Sequence, residues 1–369
     1  MDLVAFRRDL HRHPEIGLDL PRTAACVADV LAAAGLEVSR DVGGSGLVAT
    51  LGTSGRIVGL RADMDALPIN EATDHDYPSQ TPARFHGCGH DGHTTMLLGA
   101  ALAMVADPPV DRTIRFVFQA DEENGTGARA MLADGLLDRF AMDAIYGLHN
   151  MPGVAPGTFV TGAGPFFAFE DNFEIRLTGR GGHASAPEVG TDALVAGAAL
   201  VGALQTIVSR GVAGRDHAVV SVTEFVTDGA RNVIPSNVAL RGDCRGYADA
   251  VSARIEMRMR DIAAGIAATH GVTAEVDYGT SFRPLVNPPQ ATARAREAAA
   301  QVGPVHEGGR YGASEDFAEF LAHIDGAFVL MGNGTEDAHA LPLHNPAYDF
   351  NDAIIPAGIA FWQEMALRG

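Results

Sequence analysis

The sequence predicts an α/β fold: a domain on a largely parallel sheet, with a β-α-β-β-α-β (ferredoxin-like) domain inserted into it. Three observations predict it. Short, continuous apolar runs at 47–51, 57–61, 114–118, 144–148 and 327–331 read as strands buried on both faces. Alanine-rich helical stretches, such as 95–105 and 129–132, lie between several of them, and strands alternating with helices build parallel sheets. Between about 170 and 280 the pattern changes to alternating strands and two longer helices. A chain of 369 residues is long enough for one large domain and one smaller one.

In chain order, residues 2–34 carry apolar positions at helical spacing, broken at His13-Pro14 and Asp19-Leu20-Pro21. Two helices are expected there. The buried strands and their helices follow. The middle then reads strand 173–177, helix 193–208, strand 218–225, strand 238–241, helix 250–268 and strand 273–276. That order is a self-contained split βαβ unit. Pro284, Pro288 and Pro289 mark the return, and a helix restarts at 292–300. The expected domains are therefore 1–169 with 281–369, and the insert 170–280.

Composition narrows the function. With 27 Lys+Arg against 46 Asp+Glu the formal net charge is −19, which excludes a nucleic-acid-coating role. The first residues lack the apolar stretch of a signal peptide. No apolar run is read as approaching the roughly 20 residues that cross a bilayer, so no membrane partner and a cytoplasmic location are expected. Three scattered cysteines make no disulfide framework. Cys26 and Cys244 read as small buried hydrophobes; Cys88, flanked by glycines and histidines, does not.

Polar clusters follow the apolar strands, where open α/β sheets place their ligands. They are Asp63-Met64-Asp65, Gln119-Ala120-Asp121-Glu122-Glu123 and His149. The densest cluster is His86-Gly87-Cys88-Gly89-His90-Asp91-Gly92-His93, at the start of a helix. Thiolate and imidazole suit zinc and similar borderline metals, and glycines let backbone wrap an ion. A plain turn with solvated histidines is the bland alternative. Leu343-His344-Asn345-Pro346 is a further polar cluster near the C-terminus. Glu122 and Glu123, if extended, point to opposite sides, so one can bind metal while the other moves a proton.

Several strings together resemble the aminoacylase and hippurate hydrolase branch of the dinuclear-metal peptidase superfamily, which includes plant auxin-conjugate hydrolases. They are Arg61-Ala-Asp63-Met-Asp65-Ala-Leu-Pro68, Cys88-Gly-His90-Asp91-Gly-His93-Thr, Glu122-Glu123 and Gly147-Leu-His149. Gly179-Arg-Gly-Gly-His183, Asn232-Val-Ile-Pro235, Ser314-Glu-Asp-Phe317 and Leu343-His344-Asn-Pro346 complete the set, in family order from about residue 10 to 353. The resemblance implies a metallopeptidase-type catalytic domain with a lid and dimerisation insert. It implies two divalent ions (Zn, Mn, Co or Ni) held by Cys88, His90, Glu123, His149 and His344. Glu122 matches the general base, which activates a water and later protonates the leaving amine. His183 and Asn232 match groups that polarise the scissile carbonyl or hold substrate, and His183 implies a homodimer. Asp65 matches a residue that orients a ligand. Asp63 is less clearly placed; Asp91 and His93 read as groups behind the ligands or, for His93, as the helix cap.

The implied reaction is hydrolysis of an N-acyl amino acid, a small molecule, to a carboxylate and a free amino acid. A dipeptidase or exopeptidase with the same centre is the near rival. A non-catalytic metal-dependent binder is the distant one, and the retained Glu122 speaks against it. Gln119-Ala-Asp121, Asn124 and Pro187-Glu188 depart from the family's usual residues, which leaves the acyl and amino-acid preference open. No G-x-S-x-G elbow and no phosphate-binding G-x-x-x-x-G-K-[ST] loop is present.

Overall fold

A computed structural model describes all residues, Met1–Gly369. The chain divides into two compact units. Unit 1 comprises Met1–Phe166, Val286–Gly309 and Glu315–Gly369; unit 2 comprises Phe167–Leu285 and Arg310–Ser314.

Unit 1 opens with helices α1 (Leu3–Arg12) and α2 (Pro21–Ala33) and strands β1 (Glu37–Ser39), β2 (Leu47–Leu51) and β3 (Arg56–Asp63). Then come α3 (His90–Ala106), β4 (Arg112–Gln119), α4 (Gly127–Ala133), α5 (Leu136–Arg139), β5 (Ala144–Pro152) and β6 (Phe159–Thr161). Strand β7 (Gly164–Phe167) leads into unit 2, which holds β8 (Phe169–Thr178), β9 (Gly182–His183) and α6 (Ala193–Thr206). It continues with β10 (Val219–Thr227), β11 (Val233–Ile234), β12 (Asn237–Gly246), α7 (Asp249–His270) and β13 (Thr273–Phe282). Strand β14 (Leu285–Asn287) leads back to α8 (Pro289–Ala300), β15 (Val305–Glu307), α9 (Ala318–Leu321), β16 (Gly326–Gly334) and α10 (Ile355–Arg368).

The sheet of unit 1 has eight strands in the order β1-β2-β4-β3-β5-β16-β6-β15. Its four central strands, β4, β3, β5 and β16, run parallel, as the continuous apolar runs predict. β3 and β16 are buried along most or all of their length, because helices cover both faces of such a sheet. Helix α3 is apolar nearly all round and packs against α1 and α10, the mark of a core helix.

Unit 2 is a four-stranded antiparallel sheet in the order β10-β12-β8-β13. In β8 burial alternates strictly: Phe169, Phe173, Ile175 and Leu177 face α6 and α7, whose Leu200, Leu204, Ile255 and Met259 complete a second core. One helix of unit 2 is long and apolar. α6 and the π-helical turn Ile207–Gly211 make a 19-residue helix, Ala193–Gly211, long and apolar enough to cross a membrane. Only a third of it is buried, along the stripe that covers the sheet. Cys244 is buried as expected, whereas Cys26 is only partly covered, on the outer side of α2.

Candidate metal centre

The polar clusters gather where the parallel strands end. Asp63 pairs with Gln119 at the last positions of β3 and β4, and His149 lies opposite Leu330 towards the end of β5. Helix α3 brings the imidazoles. Gly89, at φ 95°, caps it; a Cβ there would meet Asn150 Oδ1 at 2.4 Å and the Tyr348 hydroxyl at 2.8 Å. The helix therefore starts at His90, and His93, one turn on, is not its cap.

Hydrogen bonds fix which nitrogen each ring presents. His149 Nδ1 lies 2.7 Å from the carbonyl of Asn150, so it carries the proton, and the lone pair of Nε2 faces Cys88 Sγ at 3.4 Å. His90 Nδ1 donates to Asp65 Oδ1 at 3.3 Å, so Nε2 is the nitrogen left free for a ligand. Asp65 Oδ2 also accepts the Glu123 amide at 3.1 Å. One carboxylate thus orients a ring and a neighbouring main chain, the usual arrangement behind metal-binding histidines. His93 lies 2.6 Å from Asp63 and accepts the Asn150 amide at 3.0 Å, so both of its nitrogens are committed to protein.

Three donor groups overlap. Cys88, His90 and His149 bring their donor atoms within 4.8 Å of one another; so do Cys88, Glu123 and His344, and His90, Glu122 and Glu123. His344, held at φ 66°, hangs by its amide from the Gly87 carbonyl at 2.9 Å and places Nε2 3.3 Å from Glu123 Oε2. The structure therefore brings together Cys88, His90, Glu122, Glu123, His149 and His344. Glu122 and Glu123 do not diverge as an extended strand would require. Asp121 turns left-handed at φ 57°, and both carboxylates come to about the same distance from His90 Nε2, 4.0 and 3.9 Å.

The arrangement fits a cation. His90 Nε2 and Glu123 Oε1 are buried without a hydrogen-bond partner and stand 3.9 Å apart; orphaned buried polar groups are costly, and a cation taking the place of the Nε2 proton would satisfy both. The electrostatics agree. Burial opposes a charge on His90, yet Asp63, Asp65 and Glu123 outweigh it and raise its pKa to about 10: the cage demands positive charge. Burial, then His93, holds His149 far below the ordinary imidazole range, in the neutral state a ligand needs. Burial, with Glu123 and Glu122, pushes the Cys88 thiol well up. Burial, with Glu315, Glu123 and Asp316, pushes Glu122 well above the usual carboxylate range.

Sequence reading gave no role to a buried array next to Glu122. Arg61 contacts Asp63 at 2.8 Å, Asp316 at 3.0 Å and Glu315 at 3.1 Å, and Glu315 and Asp316 lie within 4.8 Å of Glu122. Their strings were visible, but partners separated by 255 residues are not. Behind α3, Arg7 and His11 bind Asp91 at 3.0 and 2.9 Å. Asp91 thus supports the helix carrying His90 from behind.

His183 and Asn232 belong to unit 2. β9 pairs with β11, and Ala184 donates to the Asn232 carbonyl at 3.0 Å, which places the two residues side by side. His183 Nδ1 accepts the Ser185 amide at 3.1 Å, so a neutral ring carries its proton on Nε2, as a donor.

Residues 59–368 match the profile of peptidase family M20/M25/M40. The chain is 35% identical to the hippurate hydrolase of Campylobacter jejuni, over 98% of this chain and 95% of that protein. It is 35% identical to the N-acetyl-L-cysteine deacetylase of Bacillus subtilis, over 99% and 88%. Among solved structures it is similar to the Bacillus subtilis YXEP protein, described as a dinuclear metal-binding peptidase of the M20 family. Identity there is 30% and the TM-score 0.87, covering 99% of this chain and 96% of the other.

Proposed function

This chain belongs to peptidase family M20/M25/M40, and on that footing we propose that it is a metal-dependent amidohydrolase. Its substrates would be N-acyl amino acids, cut to a carboxylate and a free amino acid. The observation that carries the reading is the pair of unpartnered buried atoms, His90 Nε2 and Glu123 Oε1, inside overlapping donor groups that share Cys88.

Cys88, His90, Glu123, His149 and His344 hold two divalent ions in this reading, with Cys88 common to two of the donor groups. Bound there, the ions supply Lewis acidity towards the carbonyl oxygen and the attacking water. Glu122 is the base. It stands beside the ligands, and burial with its acidic neighbours raises its proton affinity, which suits a group that takes a proton from water and returns it to the leaving amine. His183 offers its Nε2 proton to the oxygen on which charge develops, and Asn232 holds substrate beside it.

A homodimer through unit 2 is part of the reading. Edge strand β10 exposes Val219, Phe225 and Val226, and α6 exposes Leu194 and Val195, an apolar edge that a second copy would cover. Cytoplasmic residence suits three unpaired cysteines.

The test is amino-acid release from N-acetyl, N-benzoyl and N-indoleacetyl amino acids after loading with Zn, Mn, Co or Ni, beside a chelated control. Release that chelation abolishes is the expected result. Cleavage of free dipeptides alone would replace the reading with a peptidase, and silence on both would remove it.

A further inference from the structure

The turn that presents Glu122 and Glu123 hangs on one residue. Asp121 stands at φ 57°, a left-handed conformation that Asp and Asn tolerate better than other residues with side chains. Its carbonyl accepts the amides of Thr126 at 3.3 Å and Gly127 at 3.0 Å. Asp121 is 4% exposed, and its carboxylate accepts Asn124 Nδ2 at 2.5 Å on one oxygen and the Thr126 hydroxyl on the other. Donors from three residues, Asn124, Thr126 and Gly127, thus converge on Asp121. The turn has little slack: a Cβ on Gly127 would lie 1.7 Å from the Ala120 carbonyl oxygen. On the far side Glu123 is pinned by its amide to Asp65. Between those two anchors sits Glu122.

We propose that Asp121 is a positioning residue: its carboxylate, by tying Asn124 and Thr126 back onto the turn, sets where the Glu122 and Glu123 carboxylates stand relative to His90. The inference rests on the reading of Glu123 as a ligand and Glu122 as the base. Without that clamp the turn is free to relax away from the left-handed kink. Glu123 then meets its ion less well, and Glu122 meets the water less well. Groups that orient metal ligands in this way are worth about 10–100-fold in affinity or rate.

Three variants separate the carboxylate from the backbone it sits on. Asp121→Gly is at ease at positive φ but has no acceptor. Asp121→Ala lacks both advantages. Asp121→Asn keeps the conformation and one acceptor. Co(II) is titrated calorimetrically into each metal-free protein, and kcat and KM are measured on the best substrate of the wild-type enzyme. Gly and Ala are expected to weaken Co(II) binding and lower kcat by about tenfold or more, with KM little changed. Asn should recover most of both. Wild-type Co(II) affinity in the Gly variant would show that backbone conformation alone matters and would overturn the proposal. If Asp121 variants fail to fold, Thr126→Val removes one of the tethers, and wild-type affinity and kcat there would overturn it equally. A wild-type protein that hydrolyses no amide would instead sink the proposed function, while the Co(II) comparison still decides the role of Asp121.

Discussion

Unit 1 and unit 2 bury polar groups by different rules. Unit 1 encloses Arg7, His11, Arg61, Asp63, Asp65, His90, Asp91, Glu122, Glu315 and Asp316. Unit 2 buries one charged side chain, Asp171, and otherwise closes on apolar side chains. Arg241 stays exposed on the sheet, where it meets Glu174 at 2.7 Å and Glu224 at 2.8 Å. Taking ions out of water costs several kcal/mol each, and well-packed apolar groups commonly do as well or better for stability. Unit 2 shows that this chain can build an apolar core. The charged groups of unit 1 that lie at the strand ends orient imidazoles, surround His90 with negative charge and raise the proton affinity of Glu122.

If that contrast is right, the largest effect falls on the proton carrier. Glu122→Gln should lower kcat by about 10²–10⁴-fold while the protein still binds its metal, measured by kinetics alongside elemental analysis. Loss of the metal would show Glu122 to be a ligand instead. Next comes His183, the donor proposed on unit 2. His183→Ala should lower kcat by about 10²–10³-fold and leave metal affinity untouched; an unchanged kcat removes His183 from the mechanism.

Stability sharpens the same comparison. Arg7→Ala breaks the buried ion pair with Asp91 and leaves only His11 beside that carboxylate, so urea unfolding should show a loss of about 3–5 kcal/mol. Arg241→Ala, on exposed ion pairs, should cost less than about 1 kcal/mol. Equal losses would erase the distinction between the units. The smallest effect is a proton count. Without metal, Cys88 and His90 both have pKa values raised above their ordinary range, so both hold a proton at neutral pH. A ligand must lose that proton. Metal binding should therefore release protons, and affinity should fall as pH falls. Calorimetry in buffers of different ionisation enthalpy reads this directly; no proton release would contradict it.

The sheet of unit 1 was legible because a strand buried on both faces writes itself as an unbroken apolar run, as 144–148 does within β5. Cys88, His90 and His93 were legible because they are contiguous. What escaped was set by contacts distant in sequence or by single dihedral angles. Arg61 needs Asp316, and Arg7 needs Asp91; neither pairing has a local pattern. The convergence of Glu122 and Glu123 depends on one left-handed residue, Asp121, which a strand's two-residue period cannot express.

The most direct test is the stoichiometry of binding: metal-free wild-type protein titrated with Mn(II) or Zn(II), counted by calorimetry and checked by elemental analysis after dialysis. About two equivalents per chain are expected, with both weakened in Cys88→Ser because the thiolate serves two of the donor groups. A single equivalent, or none, would contradict a two-ion centre in unit 1.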